Sequence, residues 1–126
     1  MKTAHDLVQE AKQNIEEITL EQADEAIKQA DLLLDVRDAD EYRISHVPGA
    51  VNISRGLLEF KFSNDPSLEN RDMHIVLYCK NSGRAALSAK ALKEMGYRHV
   101  QSIAGGFEAW QEAGKDTAKP QLPEFE

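Results

Sequence analysis

The stretch His74-Ile75-Val76-Leu77-Tyr78-Cys79-Lys80-Asn81-Ser82-Gly83-Arg84 decides how the chain is read. Its first five residues centre on the apolar run Ile75-Val76-Leu77, two of them β-branched, the pattern of a strand buried on both faces in a parallel sheet. The run stops abruptly at Cys79, the one cysteine of the 126 residues. A polar loop containing a glycine follows. Ala85, Leu87, Ala89, Ala91, Leu92 and Met95 then mark a helix, with Gly96 as its C-cap. Cys79 therefore stands between the end of a strand and the start of a helix.

Upstream, Leu32-Leu33-Leu34-Asp35-Val36 reads as a second buried strand and Val51 to Ile53 as a third. Between them lie a short helix over Ala39 to Ile44 and a turn at Val47-Pro48-Gly49-Ala50. Gly56 to Phe62 reads as a helix, with Phe60 and Phe62 in the core, and Ser63 to Asp72 as a surface loop. Downstream, His99 to Ile103 is a fourth strand. Ala104-Gly105-Gly106 then turns into a helix that packs Phe107 and Trp110 and ends at Gly114.

At the N-terminus, Ala4, Leu7, Val8, Ala11 and Ile15 recur at helical spacing, so residues 1–18 read as an amphipathic helix capping the domain. Thr19 is an N-cap for a helix carrying Leu20, Ala23, Ala26 and Ile27. The main domain is expected over residues 19–114, and Lys115 to Glu126 as a loosely ordered tail. Strands alternating with helices imply an α/β domain with a parallel sheet covered on both faces. Ligands in such folds bind beyond the carboxyl ends of the strands, which is where Cys79 falls.

Composition narrows the function. Formal net charge is −7, which disfavours nucleic acid and anionic membrane as partners. No apolar run approaches the ~20 residues of a membrane span, and Met1 to Ile18 lacks the apolar core of a secretory signal. With one cysteine an internal disulfide is impossible, and the cytoplasm is the default compartment. No histidine pair has metal-ligand spacing with Cys79, so no metal is expected.

The setting of Cys79 favours a thiolate. The first turn of a helix presents amide N–H groups without intrahelical partners. The macrodipole adds partial positive charge there, and Lys80 and Arg84 add full charges. Such surroundings lower a cysteine pKa from ~8.5 and would cradle a bound anion. The competing reading is a buried structural cysteine acting as a small hydrophobe. The polar loop that follows at once, which a core position does not need, favours the reactive one.

At this point a resemblance becomes plain. The stretch from Leu32 to Gly114 resembles a single-domain rhodanese: Asp35-Val36-Arg37 after a strand, His46-Val47-Pro48-Gly49-Ala50, the Cys79 loop, and Gly105-Gly106-Phe107 with Trp110. The resemblance implies a three-layer fold with a central, mostly parallel, five-stranded sheet, here with an extra N-terminal helix. It implies a sulfurtransferase that takes sulfane sulfur from thiosulfate or a similar donor, holds it on Cys79, and passes it to cyanide, a thiol or a protein. The amides from Lys80 through Asn81, Ser82 and Gly83 to Arg84 would cradle the persulfide, and Arg84 and Lys80 would hold the donor. No cofactor is implied. Oligomeric state is expected to be a monomer or weak dimer.

Around this centre Asp35 and Arg37 are either an active-site network or a plain loop ion pair. His46 is expected to brace its turn rather than to catalyse, and Glu41 and Arg43 either join that network or are solvated helix residues, the solvated reading being preferred. Cysteine phosphatases resemble the chain in outline, but place five residues between Cys and Arg. Here four, Lys80 to Gly83, separate Cys79 from Arg84, a ring better suited to one sulfur atom than to phosphate. A persulfide carrier within protein complexes, or a binding module without turnover, is the alternative from another class.

Overall fold

The computed structural model describes residues 1–120. Among them, five strands form one parallel sheet in the order β1-β5-β4-β2-β3. The strands are β1 (Glu16–Ile18), β2 (Leu32–Asp35), β3 (Val51–Asn52), β4 (His74–Tyr78) and β5 (His99–Ile103). The helices are α1 (Ala4–Gln13), α2 (Leu20–Gln29), α3 (Ala39–Ile44), α4 (Leu58–Asn64), α5 (Gly83–Glu94) and α6 (Gly106–Glu112).

Alternation along the strands builds two cores. Leu34, Ile75, Leu77, Cys79 and Val100 face one side and pack with Leu58 and Phe62 of α4 and with Ala85, Ala89 and Leu92 of α5. Leu33, Val76, Tyr78 and Ile103 face the other, with Ala23 of α2 and Phe107 and Trp110 of α6. This is the three-layer α/β arrangement expected. Burial on both faces explains why β4, with only His74 exposed, reads as a continuous apolar run.

Because all pairings are parallel, the carboxyl ends of β2, β4 and β5 share one edge. From β2 the chain steps outward to β3, and from β4 it steps the opposite way to β5. The order therefore reverses between β2 and β4, the position where open α/β sheets leave a binding crevice. The segments after these two strands carry Arg37 and Cys79.

Three expectations need correction. Residues 1–18 are not one helix: α1 stops at Gln13, capped at its start by a Thr3–Asp6 box, and Glu16–Ile18 joins the sheet edge beside β5. Phe60 is 69% exposed, because helical geometry turns it away from the core that takes Leu58 and Phe62. The tail is tied at Ala118, whose N–H and C=O pair with those of His46 at 2.8 and 2.9 Å. Trp110 Nε1 also donates to the Asp116 carbonyl at 2.7 Å. The remainder of the expected loose tail, 121–126, lies outside the described residues.

Candidate active site

Cys79 follows the central strand, and its residue is fully buried. The loop after it is held from two sides. From α6, the N–H groups of Phe107 and Glu108 donate to the carbonyls of Cys79 and Lys80 at 2.8 and 2.9 Å. In a trans peptide the N–H lies opposite the C=O, so the amides of Lys80 and Asn81 are turned away from α6. From α1, Lys12 Nζ donates to Ser82 Oγ at 2.9 Å. A Cβ on Gly83 would stand 3.6 Å from Val8 of the same helix. The N-terminal helix thus touches the loop as well as packing on α5.

The expected cradle is partly filled from within. Asn81 Oδ1 accepts from the Ser82 and Gly83 amides at 2.7 and 3.4 Å. Among the described residues the N–H groups of Lys80, Asn81, Arg84 and Ala85 have no acceptor. A loop closing on a single sulfur would use these free amides and the start of α5, whose macrodipole favours negative charge.

Close approach of α6 requires glycine at Gly106. There φ is +56°, and a Cβ would collide with the carbonyl oxygens of Cys79 and Asn81. Gly106→Ala is therefore expected to cost about 2–3 kcal/mol through strain and forced displacement of the loop. Urea unfolding measures the loss, and an unchanged midpoint would show that the loop yields freely.

Asp35 and Arg37 form a buried network. Arg37 is 4% exposed and Asp35 fully buried. The Arg37 side chain donates to Asp35 through Nε at 3.0 Å and through a terminal nitrogen at 2.7 Å. That same nitrogen reaches the Ser45 carbonyl at 2.7 Å, and the guanidinium lies 4.3 Å from the Phe107 ring centre. Burial opposes the Arg37 charge, but hydrogen bonding and attraction to Asp35 outweigh it and raise the pKa. The Tyr78 hydroxyl donates to Asp35 at 2.8 Å and accepts from the Val47 amide at 3.0 Å. The network therefore joins β2, β4 and the turn that enters β3.

Burial first, then the charge of Asp35, push the Tyr78 phenol well above its ordinary value. A raised folded-state pKa means that stability is full below the unfolded value near ~10 and falls as pH rises beyond it. Urea melts at successive pH values above ~10 should lose up to ~1.4 kcal/mol per pH unit from this residue. Tyr78→Phe should remove that slope, and an identical slope in the variant would contradict the account.

His46 braces its turn. It is 5% exposed, its ring stacks on Tyr42 at 3.8 Å, and its Nδ1 lies 3.0 Å from the Tyr42 carbonyl. A carbonyl only accepts, so Nδ1 carries the proton in this contact. Arg43 pairs with Asp40 on an exposed helix face. Glu41, read from sequence as solvated, instead receives both terminal nitrogens of Arg84, at 2.7 and 3.1 Å. Hydrogen bonding to Arg84 holds the Glu41 carboxyl below its ordinary range, and the same contact raises Arg84.

Arg37, Glu41, Lys80, Phe107 and Glu108 line a cleft of about 250 Å³ at this edge of the sheet. A larger cavity of about 520 Å³ lies toward the other end, among Glu16, Glu25, His74 and His99. No group of three or more His, Cys, Asp or Glu side chains among the described residues is placed to hold a metal ion. Nor is any helix there long and apolar enough to cross a membrane.

A parallel α/β sheet whose central strand ends in a loop cysteine, at the point where strand order reverses, defines the class of this protein. The chain belongs to the rhodanese-like domain family, whose model matches residues 19–113. It is 34% identical over 95 residues to the thiosulfate sulfurtransferase GlpE of Haemophilus influenzae, covering 75% of this chain and 86% of that one. A putative sulfur carrier protein, YrkF of Bacillus subtilis, is 32% identical over 99 residues, covering 77% and 51%. The mitochondrial protein HIGH ARSENIC CONTENT 1 of Arabidopsis thaliana is 34% identical over 95 residues, covering 69% and 56%. The chain thus spans about half the length of the last two relatives. A solved structure from Rhodopseudomonas palustris, of unknown function and described as a possible tyrosine phosphatase, superposes with TM-score 0.81 at 30% identity. The match covers 92% of this chain and 94% of that one.

Proposed function

We propose that the chain is a sulfurtransferase in which Cys79 carries sulfane sulfur as a persulfide. The observation that supports this best is the placing of Cys79 at the end of the central strand, under a loop with four unpartnered amides. The family assignment and the GlpE relatives favour the same chemistry.

In the proposed reaction the Cys79 thiolate attacks the outer sulfur of thiosulfate. The sulfur–sulfur bond breaks, and sulfite leaves with its electron pair. The acceptor, cyanide or a thiol, then attacks the terminal sulfur and restores the thiolate. With no second cysteine, the persulfide has no internal route to a disulfide, so the acceptor comes from outside. Because Cys79 is fully buried, the structure around it must open for a donor to reach the sulfur. We assign this activity to the cytoplasm.

Sulfite release from thiosulfate with cyanide tests the reading. Hydrolysis of an aryl phosphate without sulfur transfer would reverse it. The Rhodopseudomonas neighbour makes that control necessary, while the four-residue spacing from Cys79 to Arg84 argues for sulfur. A carrier role within a protein complex is the second reading, favoured by likeness to a putative sulfur carrier. Slow turnover with cyanide, glutathione and reduced thioredoxin alike, beside a stable persulfide, would select it.

A further inference from the structure

A serine placed just before a helix ordinarily turns its hydroxyl to the amide of the second or third helical residue and satisfies one of the free N–H groups there. Thr3 and Thr19 do the same for α1 and α2. Their ψ angles are 168° and 162°, and their hydroxyls accept from the Asp6 and Gln22 amides. Ser82 holds the equivalent place before α5 and behaves differently. Its ψ is −15°, and its side chain makes no bond to the helix it opens. Its Oγ accepts instead from Lys12 Nζ, at 2.9 Å. The amides that a capping Ser82 would take are those of Arg84 and Ala85, which have no acceptor among the described residues.

We infer that Lys12 is a positioning residue for the sulfur site: by engaging Ser82 Oγ it keeps the start of α5 uncapped and leaves the Arg84 and Ala85 amides to the sulfur on Cys79. The inference rests on the Cys79 persulfide reading and deepens it. Lys12 lies on α1, outside residues 19–113 that carry the family match. Its side chain is 28% exposed, with the Glu17 carboxylate 4.0 Å from Nζ. Packing of α1 along α5 sets the place of the helix, so the lysine stem is aimed at the loop independently of its one bond there. A charged donor holds the hydroxyl more firmly than a neutral one would. Without it, Ser82 is free to turn toward α5, and a sulfur anion must then displace the hydroxyl from the amides it needs.

The test is a double-mutant cycle on the loading of Cys79 from thiosulfate, followed by intact mass. Lys12→Met keeps the aliphatic stem and removes the donor, and Ser82→Ala removes the hydroxyl that would cap. Lys12→Met alone should lower the rate constant for loading about 5-fold. In the Ser82→Ala background the same substitution should change it by less than about twofold, because no hydroxyl remains to compete. An equal loss in both backgrounds would mean that Lys12 acts by its charge alone, and no loss in either would make it a surface residue; both results overturn the inference. Amide hydrogen exchange gives a reading that needs no turnover. Protection of the Arg84 and Ala85 amides should rise in Lys12→Met as Ser82 caps α5, and unchanged or lower protection would contradict the inference. A wild type that takes up no sulfur would instead remove the Cys79 assignment itself, an outcome distinct from wild-type loading that is indifferent to Lys12.

Discussion

Replacement of Cys79 by serine is expected to reduce sulfite release from thiosulfate by about 10³-fold or more while leaving the fold intact. The hydroxyl is nearly isosteric with the thiol, and the site is fully buried among Leu77, Ala85 and Ala89, so the cost in packing is small. The hydroxyl is far less acidic and cannot accept a sulfane sulfur in the same displacement. The cyanide assay reports activity, and circular dichroism reports the fold. Residual turnover within tenfold of the wild type would place the nucleophile elsewhere, and the chain has no other thiol to supply it.

Asp35→Ala carries the largest expected loss of stability, about 3–5 kcal/mol, because it strands one charge of a buried pair. Arg37 would lose its carboxylate while 4% exposed, and the Tyr78 hydroxyl would lose its acceptor. Urea denaturation gives the number. A loss below ~1 kcal/mol would mean that water or a shifted neighbour replaces the carboxylate. Activity should fall in parallel, since Arg37 lines the cleft beside the loop.

These residues also show where the sequence is legible. β2, β4 and α5 were readable because burial on both faces, or along one stripe, leaves an apolar pattern within a few residues. β1 was not. Only Ile18 of its three residues is buried, and Glu16 and Glu17 match an exposed helix as well as an edge strand. The placing of Cys79 under a helix-opening loop followed from local order alone. Its complete burial did not, because it depends on α4 and α5 packing together on the face of the sheet that Cys79 shares.

The pairing of Arg84 with Glu41 spans 43 positions and leaves no local signature. The only nearby hint was the acidic first turn of α3, which reads equally as an N-terminal cap. Contact between Lys12 and Ser82, 70 positions apart, was invisible for the same reason. Both join elements that meet only after the sheet has formed. The residues that bear on reactivity were therefore visible one by one, and their partners were not.

The decisive measurement is a peptide mass spectrum of the protein after exposure to a sulfane sulfur donor and removal of the excess. The account predicts one added sulfur atom on the peptide containing Cys79, discharged when cyanide is supplied. A thiol that stays unmodified in the folded protein, yet takes up sulfur readily once the chain is unfolded, would show that Cys79 is only a packing residue.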